Sequence, residues 1–300
     1  MRIVDIGAMF IDYTYDVKEF VQAGQTIQSL GRSMNAGGKG LNQSIALGRA
    51  GADVSLVGII GEEGAFLHDL VAEAGVDTRW VRVADVPNGH TIIQRNAQGE
   101  NCIILSGGAS LTFENSFVDE VLDSFAPGDW VLLQNEVNCT AHAIEAARER
   151  DMRVVLNPSP ADEVLLSCPL EKVDCFILNE GEAAELSGHG PGAAEDLLAA
   201  MRGRFPGAEI VLTLGGDGSM AVSGGEVVRQ QAFTVPVVDT TGAGDTFTGY
   251  YLAERARGST LSRALEVASA ASAIAVTRAG AAPSIPTMAE VEEFLADRGR

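Results

Sequence analysis

Short apolar runs rich in Val, Ile and Leu alternate along this chain with stretches whose apolar positions recur at three- and four-residue spacing. The runs at residues 3–9, 54–60, 130–134, 154–157, 175–179, 210–214 and 220–223 show little polar alternation, which predicts strands buried on both faces. Between them, 41–50, 65–74, 141–150 and 193–204 predict amphipathic helices. Alternation of this kind predicts an α/β fold, a three-layer α/β/α arrangement around a mainly parallel sheet. Two regions depart from it. Residues 13–33 and 91–105 alternate polar and apolar positions, and the second holds a turn at Asn96-Ala97-Gln98-Gly99. They predict half-exposed antiparallel strands in a small separate sheet, a lid or an oligomer contact. Residues 242–258 and 261–277 predict two consecutive helices rich in Ala and Ser. No repeat, low-complexity segment or charged linker divides the chain, so residues 1–300 are expected to form one domain carrying a flap.

Composition narrows the partners. With 41 acidic and 21 basic residues the formal charge is −20, which disfavours nucleic acid and anionic membranes as partners, since both need clustered Lys and Arg. A hydrophobic fraction of 46% is ample for a core. Asp5 and Asp12 interrupt any apolar segment a signal peptide would need, no membrane-spanning run is present, and a cytoplasmic location is expected. Cys102, Cys139, Cys168 and Cys175 form no CxxC pair, which suits unpaired thiols in a reducing compartment. His68, His90, His142 and His189 are isolated, and structural roles are expected for them.

Candidate chemistry concentrates in two glycine-rich segments. In Val238-Asp239-Thr240-Thr241-Gly242-Ala243-Gly244-Asp245-Thr246, a β-rich run at 233–238 feeds a turn that opens into a helix. The backbone N–H groups of Gly242, Ala243 and Gly244 are expected to be unpaired there, and with the helix dipole they would make a phosphate site. A carboxylate beside such a cradle, Asp245, suits the general base of phosphoryl transfer. The spacing fits neither a Walker A loop nor a dinucleotide fingerprint. The second segment, Asn35-Ala36-Gly37-Gly38-Lys39-Gly40-Leu41-Asn42, also opens a helix, and Asn42 can donate to and accept from vicinal sugar hydroxyls.

Together these segments resemble the two signature motifs of the ribokinase-like (PfkB) carbohydrate kinases. Segments at 7–12, 133–136, 157–160, 178–183, 213–215 and 273–281 agree in order and spacing, so the resemblance runs from about residue 3 to residue 298. Within the family, Asn157-Pro158-Ser159-Pro160 and the 273–281 segment resemble bacterial ribokinase.

That resemblance implies ATP-dependent phosphorylation of a primary hydroxyl of a small sugar. Ribose, giving ribose 5-phosphate, is the leading acceptor; a nucleoside, fructose, a keto-deoxy sugar acid or a non-catalytic sugar-binding role are the alternatives. Asp245 would be the base, with Gly242, Ala243 and Gly244 as the anion hole. Asp12, Gly38, Lys39, Gly40, Asn42 and Glu136 would bind sugar, although Glu136 could instead cap the helix near Thr140. Asn179, Thr213, Leu214, Gly215, Gly216, Asp217, Gly218 and Ser269 would line the ATP cleft, and Glu182 would act on Mg²⁺ through water. Asp239, Thr241, Ala275, Arg278, Gly280 and Ser284 would hold an activating K⁺. A homodimer through the lid is the family's expectation, and Lys39 and Arg278 are candidate local cations for ATP. Two departures stand out. Phe10 replaces the family's sugar-binding Asn and is expected to narrow the pocket, and Ala23-Gly24-Gln25-Thr26 replaces the usual Pro-Gly-Glu-Thr turn.

Overall fold

A computed structural model describes residues 1–299. Its strands are β1 (Ile3–Ile6), β2 (Phe10–Asp16), β3 (Gly31–Gly37), β4 (Val54–Ile60), β5 (Asp77–Val83), β6 (His90–Arg95), β7 (Asn101–Ser106), β8 (Trp130–Gln134), β9 (Arg153–Asn157), β10 (Cys175–Asn179), β11 (Glu209–Thr213), β12 (Ser219–Ser223) and β13 (Glu226–Gln230). The helices are α1 (Lys39–Arg49), α2 (Ala65–Glu73), α3 (Asn115–Leu122), α4 (Thr140–Glu149), α5 (Glu163–Leu166), α6 (Glu180–Ser187), α7 (Ala194–Arg204), α8 (Ala243–Ala256), α9 (Leu261–Ala275) and α10 (Met288–Ala296).

Nine strands form the main sheet in the order β13-β12-β11-β10-β9-β8-β1-β4-β5. From β11 to β5 all neighbours run parallel, and β12 and β13 are added antiparallel at one edge. Successive residues of the central strands alternate between two buried clusters. Val131, Leu133, Val154 and Leu156 enter one; Trp130, Leu132, Val155 and Ile177 enter the other. Both faces are therefore covered by helices, which is why these strands read as unbroken apolar runs. The predicted three-layer α/β/α architecture is the one observed.

Strand order reverses at β1, which lies between β8 and β4 although β4 follows it in the chain. Ligands of open α/β sheets bind beyond the carboxyl ends of the strands at such a reversal. Here Gly7, Glu136, Asn157, Asn179 and Thr213 lie at or just beyond the ends of β1, β8, β9, β10 and β11. The strand predicted at 3–9 stops at Ile6, because α1 starts against the next residue: a Cβ on Gly40 would lie 2.5 Å from Gly7 Cα.

The lid is a separate sheet ordered β3-β2-β6-β7. Its strands were expected to be antiparallel, but β2 and β6 pair in parallel. Each follows a strand of the parallel main sheet, so both leave the body in the same direction, and β3 and β7 are the returning partners. Most of the predicted segment 13–33 is the loop between β2 and β3, since Lys18, Glu19 and the Gln22–Gln25 turn interrupt the alternation. The predicted strand at 233–238 is also absent. Pro236 removes a ladder donor, Val237 and Val238 are exposed, and Val238 N–H donates to the Val276 carbonyl near the end of α9 instead.

Candidate active site

Lys39, Asn42 and Gln43 fall at i, i+3 and i+4 on the first turns of α1 and so share one face. Opposite them stands the first turn of α8. Asn42 Nδ2 donates to Asp245 Oδ2 at 3.0 Å, and Gln43 Nε2 donates to Asp245 Oδ1 at 2.9 Å. The two glycine-rich segments, two hundred residues apart, are thus joined through one carboxylate. Burial pushes the Asp245 carboxyl above its ordinary range, opposed by the Lys39 ammonium and by the two amide donors. Asn42 Oδ1 is buried without a partner, an acceptor left for a polar ligand.

Gly242 caps α8 in the left-handed region (φ 74°), a conformation glycine adopts without Cβ strain; a Cβ there would also press on Ala281. Of the three N–H groups expected to be free, that of Ala243 donates to the Thr240 carbonyl at 3.2 Å. This turn contact tightens the helix start and takes one of the three donors.

Glu136 follows β8 and reaches α1 rather than capping α4. Its Oε2 accepts from the Lys39 backbone N–H at 2.7 Å and its Oε1 from the ammonium at 3.2 Å. Burial lowers the Lys39 pKa, but the carboxylates of Glu136, Asp245 and Glu182 outweigh it and hold the ammonium above its ordinary value. Asp12 on β2 accepts from Thr91 Oγ1 of β6 at 2.5 Å, and burial raises its carboxyl against that bond and Lys39.

A cleft of about 190 Å³ is lined by Lys39, Asn157, Asn179, Glu182, Thr213, Gly242, Gly244 and Asp245 among others. Asn179 and Glu182 form a reciprocal cap on α6: Asn179 Oδ1 accepts from Glu182 N–H at 2.9 Å, and Glu182 Oε2 from Asn179 N–H at 3.0 Å. Burial raises the Glu182 carboxyl. Further from the cleft floor, Leu214 is buried, residues 215–217 form an exposed turn ending at Gly218, and Ser269 is buried in α9.

Asp239 ties a third cluster together. Its Oδ1 accepts from Thr241 N–H and Oγ1, and its Oδ2 accepts from Gly280 N–H at 2.9 Å. Ser284 Oγ donates to the Ala281 carbonyl, and Arg278 N–H to Ala275. The Arg278 guanidinium pairs with Glu290 at 2.5 Å. Among the described residues no three His, Cys, Asp or Glu side chains converge to hold a metal.

The Phe10 ring is buried rather than open to solvent, at 1% exposure, and packs against Gly89. Sequence reasoning assigned no role to Gln43, Gln134 or Asn157. The i, i+4 spacing of Lys39 and Gln43 was the available signal for the first.

Residues 2–288 match the pfkB family carbohydrate kinase. The chain is 32% identical over 297 residues to the ribokinase of Haemophilus influenzae, covering 97% of both chains. It is 27% identical over 303 residues to the deoxyribokinase of Salmonella typhimurium, covering 98% of this chain and 99% of that one. Among solved structures, Arabidopsis thaliana ribokinase complexed with ribose and ATP superposes with a TM-score of 0.84 at 27% identity, covering 98% of each chain. The paired glycine-rich helix starts, the carboxylate between them and a family match across nearly the whole sequence agree: this chain belongs to the pfkB family of carbohydrate kinases.

Proposed function

We propose that the protein transfers the γ-phosphoryl group of ATP to the primary hydroxyl of ribose, with Asp245 as general base. The observation that carries this reading is the placement of Asp245 in the first turn of α8, fixed by Asn42 and Gln43 in a cleft of about 190 Å³. A carboxylate whose pKa is raised by burial binds a proton more readily than an exposed one, which suits removal of a hydroxyl proton. Asp12, Asn42, Lys39 and Glu136 would hold the sugar's other hydroxyls. The N-terminus of α8 would meet the charge that develops on the transferring phosphoryl group.

Mg²⁺ fits as a substrate-borne ion. The described residues offer no carboxylate cluster, and Glu182 at the cleft wall could bind its water shell. Mg²⁺ so bound would neutralise phosphate charge. K⁺ fits the hard oxygen donors around Asp239, Thr241, Ala275, Gly280 and Ser284, next to the helix start that ends at Gly242. A lid-mediated homodimer is supported by the exposed apolar residues Met34, Ile103, Ile104 and Leu105, and a cytoplasmic site of action by the unpaired cysteines.

Phe10 favours a second acceptor. It occupies with a buried ring the position at which the family's ribose-specific form places an Asn, so one hydroxyl-pairing group is missing. An acceptor lacking one hydroxyl, such as 2-deoxyribose, would leave nothing unpaired. The test is ADP release by the purified protein on ribose, 2-deoxyribose, fructose, a nucleoside and a keto-deoxy sugar acid, in K⁺ and in Na⁺. Turnover on ribose or deoxyribose is expected, faster in K⁺. No turnover on any of them would reject the kinase reading, and equal rates in the two salts would remove the K⁺ site.

A further inference from the structure

Behind Asp245 lies a line of fully buried polar side chains that substrate does not reach. Gln43, Gln134, Asp5 and Ser44 are all inaccessible to solvent. Gln134 Nε2 donates to Asp5 Oδ1 and to Gln43 Oε1, both at 2.9 Å. Gln43 Nε2 in turn donates to Asp245 Oδ1 at 2.9 Å and to Asn157 Oδ1 at 3.0 Å. Asn157 is fixed by its own donation to the Ile177 carbonyl, and Asp5 accepts from Ser44 Oγ.

The direction of these bonds is dictated by chemistry. Each glutamine nitrogen spends both of its protons on acceptors, and the line ends on a carboxylate at either side. Turning Gln134 over would set its carbonyl against Asp5 and against Gln43 Oε1. It keeps its present orientation although its own Oε1 is left buried and unpaired. Turning Gln43 over would likewise face its carbonyl to Asp245. A buried amide with an unsatisfied oxygen is costly, and this one is retained where it holds Gln43 with its donors towards the base.

We propose that Gln43 is a positioning residue for phosphoryl transfer: its amide donor holds Asp245 in the ionised form that takes the proton, and Gln134 locks Gln43 in the only orientation that does so. This rests on Asp245 being the base. The charged groups facing Asp245 are Lys39 from the start of α1, Glu136 from the loop after β8 and Asp5 from β1. Gln43→Leu leaves all three in place, whereas Gln134→Met also takes a donor from Asp5. Donors to a carboxylate lower its pKa, so their removal raises it.

The test compares wild type with Gln43→Leu and, should that variant unfold, Gln134→Met, each checked by thermal melting. The Asp245 carboxyl is titrated by ¹³C NMR, its resonance assigned by loss in Asp245→Asn. In parallel, kcat/KM for ribose and 2-deoxyribose at saturating ATP is followed against pH. The expected result is a carboxyl midpoint about one pH unit higher, with the acid limb of kcat/KM moved by the same amount and rates converging with wild type at alkaline pH. An unmoved midpoint, or a loss of rate equal at every pH, would overturn the proposal. A moved midpoint with undiminished turnover in Asp245→Asn would overturn the base itself, and Gln43's part in catalysis with it.

Discussion

Glu136 holds Lys39 twice, accepting its backbone N–H at 2.7 Å and its ammonium at 3.2 Å. One carboxylate therefore stabilises the N-terminus of α1 and anchors the cation above Asp245. Its side chain is 6% exposed against 30% for Lys39, so Glu136→Ala removes the partner of a largely buried charge. A loss of about 2–3 kcal/mol in urea unfolding is expected. The accompanying rise in KM for the sugar should exceed tenfold if Glu136 also touches substrate.

Asp245→Asn separates chemistry from folding. The neutral amide cannot take a proton, so kcat should fall about 10²-fold or more. Since burial opposes ionisation of Asp245, the substitution removes a charge that is unfavourable in the folded state, and the melting temperature should stay within about 5 °C of wild type. Sugar binding measured by calorimetry should persist.

Asp5 gives the fold a pH dependence of its own. Burial pushes its carboxyl up to about 7, despite the bonds from Gln134 and Ser44, from an ordinary value of 3.8. The folded state thus binds this proton more tightly than the unfolded chain. The stability it supplies is complete below about pH 4 and is lost as pH rises to about 7, above which ionised Asp5 remains as a cost. Asn at position 5 can accept from Gln134 and donate to Ser44 without ionising. The advantage of Asp5→Asn in urea unfolding should therefore grow from near zero at pH 4 towards an upper limit of about 4 kcal/mol at pH 8. A constant difference across that range would show that Asp5 does not titrate there.

Which parts were legible in the sequence follows from where each signal resides. Strands 54–60, 130–134 and 175–179 were readable to the residue, because burial on both faces writes a continuous apolar run. The lid was legible as an element: 91–105 falls within one residue of the span of β6 and β7, whereas 13–33 took in the loop between β2 and β3, where polar residues carry no strand signal. In the site, Gly242, Asp245, Lys39 and Asn42 were legible because loop, helix start and chemistry are local in sequence. Gln43 and Gln134 were not. Their partners lie 202 and 91 residues away, and the packing of α1 against α8 and the pairing of β1 with β8 bring them together.

The lid carries an apolar row that crosses all four of its strands. Met34 pairs with Tyr13, Tyr13 with Ile92 and Ile92 with Ile104, and these positions share the face opposite Asp12 and Thr91. Met34 and Ile104 are more than half exposed. If this row is the dimer contact, Ile104→Asp should shift the species seen by light scattering from dimer to monomer while secondary structure is unchanged. A wild-type monomer at micromolar concentration would rule the contact out.

Phe10→Asn addresses acceptor choice. The new amide would occupy a buried site against Gly89 on the same face of β2 as Asp12, two residues from it. Without a ligand its polar atoms lack partners, so stability should fall by about 1–3 kcal/mol. A sugar hydroxyl within reach would satisfy them, and the bond would form only with acceptors that carry it. The ratio of kcat/KM for ribose over 2-deoxyribose should therefore rise at least about tenfold, with ribose affinity in calorimetry moving in the same direction. An unchanged ratio in a folded variant would mean that Phe10 stands away from the sugar and that acceptor choice is set by Asp12, Asn42 and Glu136.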